Sequence, residues 1–407
     1  MTKEFDVAKV KAQFPALHQR VYNNQQLVYL DSAASAHKPD VVLRVMDDFQ
    51  RQDYSNVHRG VHYLSQRATD AFELARQRVA EFIGAKENEV VFTKSTTEAI
   101  NLVAHGMAEL LEAGDEILLT ELEHHANIVP WQLIAKRRGL RIKVVPIHDD
   151  GRLDMEAFDA LLSPKTRLVA CAYVSNVLGT VLPVQEIIER AHSVGAQVLL
   201  DASQAVTHRK IDVAALGVDF LAFTGHKLYG PTGIGVLYGR YDRLQELPPY
   251  QGGGDMIDRV SFDGSTFKEP PFKFEAGTPA ITEAIGLGAA IDWFTNLGIA
   301  NVAKHEQALL TYAHEALEDF GGINFYGKSS EKVSVVSFTL DDVHAGDAAS
   351  ILDKTGVAVR VGQHCAEPLH VRLGVSSTIR ASFAAYNERA DVDALISGLK
   401  VVRDLFA

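Results

Sequence analysis

Lys227 sits in Thr224-Gly225-His226-Lys227-Leu228-Tyr229-Gly230, directly after the apolar run 219–223. A lysine that ends a buried strand and enters a glycine-rich turn is poorly placed to serve as a surface charge. Its amine has an unperturbed pKa of about 10.4 and is protonated in water, whereas desolvation lets it lose the proton and condense with an aldehyde. Pyridoxal phosphate is the usual aldehyde; a salt-bridged or snorkelling lysine is the other reading of this residue taken alone. One strand earlier, the run 196–201 delivers Asp201, with Gln204 shortly after it. A carboxylate there can keep a pyridine nitrogen protonated and make the ring an electron sink, or it can cap a helix.

Lys94-Ser95-Thr96-Thr97-Glu98 follows the run 89–93 and opens a helical pattern. Free N–H donors at the positive end of a helix make a phosphate site, and Ser-Thr-Thr-Glu is equally a capping box. His124, in Glu123-His124-His125-Ala126-Asn127 after the run 115–120, could stack on a cofactor ring and exchange protons near neutral pH. No carboxylate or thiol at metal-ligand spacing accompanies the paired histidines, so no metal site is expected. Of the two cysteines, Cys171 lies in the apolar Leu168-Val169-Ala170-Cys171-Ala172-Tyr173 and reads as a packing residue. Cys365 lies in the polar segment Arg360-Val361-Gly362-Gln363-His364-Cys365-Ala366-Glu367-Pro368. A free thiol is only about 3% thiolate at pH 7, so a neighbouring cation or imidazole would raise its reactivity. Arg360 and His364 are the sequence neighbours able to do so; without such help a loop cysteine is inert.

These residues need elements to hold them. Short β-rich runs at 89–93, 115–120, 141–146, 167–174, 196–201, 219–223 and 234–238 alternate with helical patterns at 65–83, 97–111, 128–138 and 184–194. That alternation predicts a large α/β domain built on a mostly parallel seven-stranded sheet. In such sheets ligands lie beyond the carboxyl ends of the strands, which is where the chemically loaded residues fall. After two long helical patterns, 281–296 and 302–319, the order changes: strand 333–340, helix 345–354, strands 357–361 and 378–383, and a closing helix 390–406. We expect a large domain over 21–296 and a smaller α+β domain over 297–407, completed by 1–20 and carrying the Cys365 loop.

Composition narrows the function classes. The chain has 407 residues, 47% hydrophobic and 23% charged, with a formal net charge of −12. An acidic chain without a basic stripe is not expected to bind nucleic acid. The N-terminus lacks the apolar core of a signal peptide and no 18-residue apolar run occurs, so no membrane association and a cytoplasmic location are expected. Two cysteines exclude a disulfide framework and a Cys-rich zinc or iron–sulfur site within one chain.

Taken together, the chain resembles the fold type I (aspartate-aminotransferase-like) pyridoxal phosphate enzymes, and within them the cysteine desulfurases of the SufS/CsdA branch. The likeness runs through Tyr29-Leu30-Asp31-Ser32-Ala33-Ala34, Ser55-Asn56-Val57-His58-Arg59-Gly60, Glu123-His124-His125-Ala126-Asn127, Gly225-His226-Lys227, Gln363-His364-Cys365-Ala366 and Arg380-Ala381-Ser382. The resemblance implies that Lys227 forms the Schiff base, Asp201 pairs with the pyridinium, Gln204 bonds the phenolic oxygen and His124 stacks on the ring. Thr96, Thr97, Thr224 and His226 would hold the phosphate, with Gly252-Gly253-Gly254 and Thr278 reaching the neighbouring site of a homodimer. Asn176 would lie near cofactor and substrate, and Arg380 would hold the substrate carboxylate, with Arg360 and His58 also on the substrate side. Cys365 would take sulfur from L-cysteine as a persulfide, leaving L-alanine, and pass it to an acceptor for iron–sulfur cluster assembly; selenocysteine lyase, or another class V enzyme of this fold, is the alternative. Relatives with a zinc-bearing acceptor resemble one another in carrying His-Pro-His-Asp, where this chain has His344-Ala345-Gly346-Asp347. A SufE/CsdE-like acceptor is therefore implied.

Overall fold

The computed structural model describes residues 5–406. Seven strands form one sheet: β1 (Val90–Thr93), β2 (Glu116–Thr120), β3 (Arg141–Val145), β4 (Thr166–Ala172), β5 (Gln197–Asp201), β6 (Phe220–Thr224) and β7 (Gly235–Gly239), in the order β1-β7-β6-β5-β4-β2-β3. Only β7 is antiparallel to its neighbours, so its first residue, Gly235, lies beside Thr93 and Thr224 at the edge where the other strands end. Each strand lies within two residues of its expected position.

Alternate strand residues supply two cores, as a pleat requires. Phe92, Leu118, Val169, Cys171, Leu200 and Phe223 point into one. Val91, Ile117, Leu119, Ala170, Leu199 and Ala222 point into the other, against α2 (Thr96–Leu110) and α3 (Val129–Arg138). The expected helix 65–83 forms α1 (Tyr63–Ile83), and the pattern 184–194 forms Val184–Ser193. Cys171 is fully buried and burial raises its thiol pKa well above the ordinary value, as a packing residue requires.

The chain then runs through two long helices, α4 (Ile281–Leu297) and α5 (Ile299–Phe320), into a second sheet. Its strands β8 (Ile323–Tyr326), β9 (Val335–Leu340), β10 (Arg360–Gly362) and β11 (Thr378–Ser382) lie in the order β8-β9-β11-β10, all antiparallel. With α6 (Ala345–Lys354) and α8 (Arg389–Phe406), this sheet encloses a separate core of Leu317, Phe338, Leu352, Ile379, Leu395 and Leu399. Between β10 and β11 runs the short helix α7 (Glu367–Leu373), which starts two residues after Cys365. No helix among the described residues is long and apolar enough to cross a membrane.

Three features differ from the expectation. The run 357–361 is not one strand: Val357–Ala358 pairs parallel with Val28–Tyr29, while β10 turns onto β11, because the partners come from distant parts of the chain. The helix Asp40–Asp48, though its apolar residues recur at helical spacing, was not anticipated, and neither were the hairpin Ile257–Ser261/Gly264–Phe267, β8 and α7, which are short. The cores also divide the chain differently from 21–296 against 297–407 with 1–20. Val10, Phe14 and Leu17 join the large domain's core, whereas Val28 and Leu30 join the small one's. Residues 1–4 and 407 of the expected small domain lie outside the described residues.

Phe14 illustrates how the N-terminal segment ties the halves together. It is fully buried, with ring centroids 5.3 Å from Trp293 and 4.7 Å from Tyr386. Phe14→Ala is expected to cost about 3–5 kcal/mol, the usual loss for a buried aromatic. Urea unfolding followed by tryptophan fluorescence would show it as a lower midpoint.

Candidate active site

A cavity of about 200 Å3 opens over the ends of the parallel strands, with the small domain above it. Each wall residue follows from where its strand stops. β1 ends at Thr93 and gives Ser95, Thr96 and Thr97; β2 leads to His124; β4 leads to Asn176; β5 ends in Asp201 with Ser203 and Gln204; β6 ends in Thr224 with His226 and Lys227. The small domain supplies Arg360 from β10, His364 and Cys365 from the following turn, and Arg380 from β11.

The phosphate-like corner is the start of α2. Ser95 caps the helix by accepting from Glu98 N, and Thr96 Oγ1 lies 2.8 Å from Ser203 Oγ. The first-turn N–H groups have no intrahelical acceptor and can receive an anion, as at any helix start. Gly235 makes this corner possible: a Cβ there would stand 2.6 Å from the Ser95 backbone and displace the turn. The capping box is only half formed: Ser95 caps through its hydroxyl, while Glu98 accepts from Lys94 N at 2.6 Å rather than from Ser95 N, so capping leaves the leading amides of the helix available to an anion.

Lys227 makes no hydrogen bond or ion pair with another side chain among the described residues. Burial pulls its amine down from 10.5 to about 8; Asp201 works against this and Arg380 adds to it. Asp201 is 8% exposed and accepts from Ser203 N at 2.9 Å. Gln204 donates to Ala33 O at 2.8 Å, which fixes its carboxamide over the N-terminal segment. A free, partly desolvated amine facing a carboxylate, beside an anion corner, suits an aldehyde-bearing phosphorylated pyridine.

The histidines are held neutral. Burial, then the charge of Lys227, lowers both His124 and His226 from 6.5 to about 4. His124 Nδ1 accepts from Ala126 N at 3.0 Å, so its proton sits on Nε2. The expectation that His124 exchanges protons near neutral pH is corrected accordingly: it is a neutral ring offering an N–H. His364 was expected as an activator of Cys365, and here too the geometry differs. Burial drives its pKa to about 2, and Nε2 lies 2.9 Å from Thr378 Oγ1. His370 Nδ1 must donate to Ala366 O, so its Nε2 accepts from the Thr378 hydroxyl, which in turn accepts from His364 Nε2–H. This chain leaves no imidazolium beside the thiol.

Arg380 is the buried cation above the cavity. It is 2% exposed, donates to Asn176 O at 2.9 Å and to Asp31 Oδ1 at 3.3 Å, and its Nε is buried without a partner among the described residues. Arg360 reaches the other oxygen of Asp31 at 3.4 Å from a more exposed position. Cys365 is exposed, and its negative form is attracted to both Lys227 and Arg380. His58 and Thr278 are not brought to the cavity of their own chain: His58 bonds Glu73 at 2.7 Å and Thr278 is exposed elsewhere.

Sequence reasoning gave no role to Asp31, Ser203 or Glu123. Glu123 is 1% exposed beneath the His124 turn; Thr120 Oγ1 and Ala172 N reach its Oε1, and Asn127 Nδ2 reaches its Oε2, with Trp131 fixing the Asn127 amide. A carboxylate followed by Asn and Trp at helical intervals was the available signal. No cluster of three metal-ligating side chains occurs among the described residues.

The aminotransferase class-V family model matches residues 28–395. A cysteine desulfurase of Serratia proteamaculans is 49% identical over 404 residues, covering 98% of this chain and 99% of that protein. Among solved structures, the cysteine desulfurase CsdA from Escherichia coli superposes with a TM-score of 0.92 at 40% identity, covering both chains fully. A C-DES variant with glycine covalently linked to its PLP cofactor superposes with a TM-score of 0.82 at 25% identity, covering 96% of this chain and 98% of that one.

Burial outweighs the three donors at Glu123 and raises its pKa from 4.5 to about 8. A folded pKa above the unfolded one means stability is complete below about 4.5 and is lost as pH rises through about 8. Melting temperatures of the native chain and Glu123→Gln, measured across pH, should therefore diverge through that window, with the native chain falling relative to the variant.

Proposed function

The chain belongs to the aminotransferase class-V family, and we propose that within it the protein is a pyridoxal phosphate-dependent cysteine desulfurase that converts L-cysteine to L-alanine and leaves the sulfur as a persulfide on Cys365. The observation that carries this reading is the meeting of Lys227, Asp201 and the α2 N-terminus on one side of a cavity with Cys365 and Arg380 on the other.

When bound, the cofactor supplies an aldehyde for Lys227 and a ring that accepts negative charge from the substrate carbon. The residues lining the cavity fit it: Thr96, Thr97, Thr224 and His226 would hold the phosphate, Asp201 and Gln204 would bond the ring's polar atoms, and His124 would offer its face. Arg380 takes the substrate carboxylate, with its unpartnered Nε as a donor already desolvated for the purpose. Asn176 and Arg360 border the same space. Once displaced, the Lys227 amine removes the Cα proton, and a pKa near 8 keeps it a usable base near neutral pH. Cys365 Sγ attacks the substrate sulfur; an S–S bond forms, the Cβ–S bond breaks, and its electron pair becomes a C–H bond of alanine after protonation. His124 Nε2–H is available to hydrogen-bond the sulfur during that transfer.

A homodimer is supported by apolar surface around the hairpin and near residue 61. Val61, Tyr63, Val260 and Phe262 are 104, 72, 65 and 112% exposed and would be covered in such a dimer. Thr278, His58 and Gly252-Gly253-Gly254 would then act from a second copy. Gly346 stands where the relatives with a zinc-bearing acceptor carry the second histidine of His-Pro-His-Asp, which supports a SufE/CsdE-like acceptor, en route to iron–sulfur assembly, over a zinc-bearing one. Two free cysteines suit the reducing cytoplasm.

Alanine release from L-cysteine by cofactor-loaded protein with excess dithiothreitol tests the reading. The native chain should release alanine and Cys365→Ala should fall to background; equal release by both would overturn it. Separately, the rate of cofactor uptake by cofactor-free protein, followed by the absorbance of the Schiff base, should rise with pH as Lys227 deprotonates. It should level off above about 8, well below the range of an ordinary lysine.

A further inference from the structure

His124 and His125 are adjacent but serve different surfaces. His124 is extended, with φ −67° and ψ 148°, so the two side chains diverge, one toward the cavity and the other toward the Cys365 turn. His125 N donates to Cys365 O at 2.7 Å, and His125 Nε2 accepts from Glu367 N at 3.0 Å. Glu367 opens α7, whose N-cap Ala366 offers no side-chain acceptor. A ring from the large domain therefore does the work of a helix cap in the small one.

The turn needs such support. His364 and Cys365 both have left-handed backbones, φ +51° and +56°, which non-glycine residues adopt only when held. Ala366 N closes the turn on Gln363 O at 2.8 Å, and Asn176 Nδ2 holds His364 O at 2.8 Å. His125 grips the residues on either side of Ala366, so its ring and backbone together fix where the thiol projects.

We propose that His125 is a positioning residue for Cys365: its neutral ring, acting as the acceptor for Glu367 N, keeps the thiol in place to meet the substrate sulfur. The inference rests on Cys365 being the sulfur-accepting nucleophile. Gln can put an amide oxygen near the Nε2 position, whereas Ala removes the acceptor and leaves the backbone bond. Leu fills the space without an acceptor, and replaces Ala in the comparison should Ala fail to fold.

Two measurements on native protein, His125→Ala, His125→Leu and His125→Gln separate the possibilities. The first is the rate of Cys365 alkylation by iodoacetamide without L-cysteine, by mass spectrometry, with buried Cys171 as internal control. The second is kcat and KM for alanine release from cofactor-loaded protein, with the cofactor absorbance recorded. The Ala and Leu variants should change the alkylation rate by about threefold or more and lower kcat by about tenfold, at unchanged KM and absorbance. His125→Gln should stay within about twofold of native on both. Native-like alkylation and kcat in Ala and Leu would overturn the proposal, as would a loss in Gln equal to theirs. Should the native chain release no alanine, the desulfurase reading fails, while the alkylation rates still decide the role of His125 in the turn.

Discussion

Burying the Lys227 amine without a hydrogen-bonded counter-ion is the constraint on which the rest of the site depends. An ammonium taken out of water costs several kcal/mol unless paired, and the usual response is a lower pKa. The chain meets the cost part-way. Asp201 stands near enough to oppose the shift, Arg380 adds to it, and the amine settles near 8. A closer partner would restore the charge and remove the nucleophile; no partner would make the buried cation too costly to keep. The strand ends provide this intermediate position because side chains there sit at the margin of the core.

The same balance explains why the histidines are neutral. A protonated His124 or His226 would add a cation to a space already holding Lys227 and Arg380, and burial with repulsion lowers both to about 4. Their rings then act through their faces and N–H groups. His364 is driven further, to about 2, and is committed to Thr378. The positive charge beside Cys365 comes from lysine and arginine.

Contacts between the two domains complete the site. Arg380 donates to Asn176 O, Asn176 donates to His364 O, and His125 donates to Cys365 O. Two non-glycine residues in left-handed conformation cost about 1–2 kcal/mol each, and hydrogen bonds contribute about 0.5–1.5 kcal/mol each. Several bonds are thus needed to hold the turn, and at this strand-end interface the large domain provides them. The thiol is displayed by a turn whose shape depends on the neighbouring domain.

Much of this was legible in the sequence for local reasons. Alternating apolar runs placed the seven strands, and the residues after them, Thr96, His124, Asp201 and Lys227, were pointed at one edge by the rule that parallel strands end together, whereas Asn176 and Thr224 took their expected roles from the family resemblance. Cys171 read as core from its apolar neighbours, and Cys365 as different from its polar ones. Whatever depended on partners far along the chain was not legible: the division of 357–361 between two sheets, Phe14 joining the large core, Glu123 beneath His124, the commitment of His364 to Thr378, and the grip of His125 on Glu367. Periodicity and residue type are properties of a segment, and the sequence by itself determined which segments become strands and which side chains could react. Desolvation, hydrogen-bond partners and protonation arise from residues brought together across hundreds of positions, and these only the tertiary structure decided.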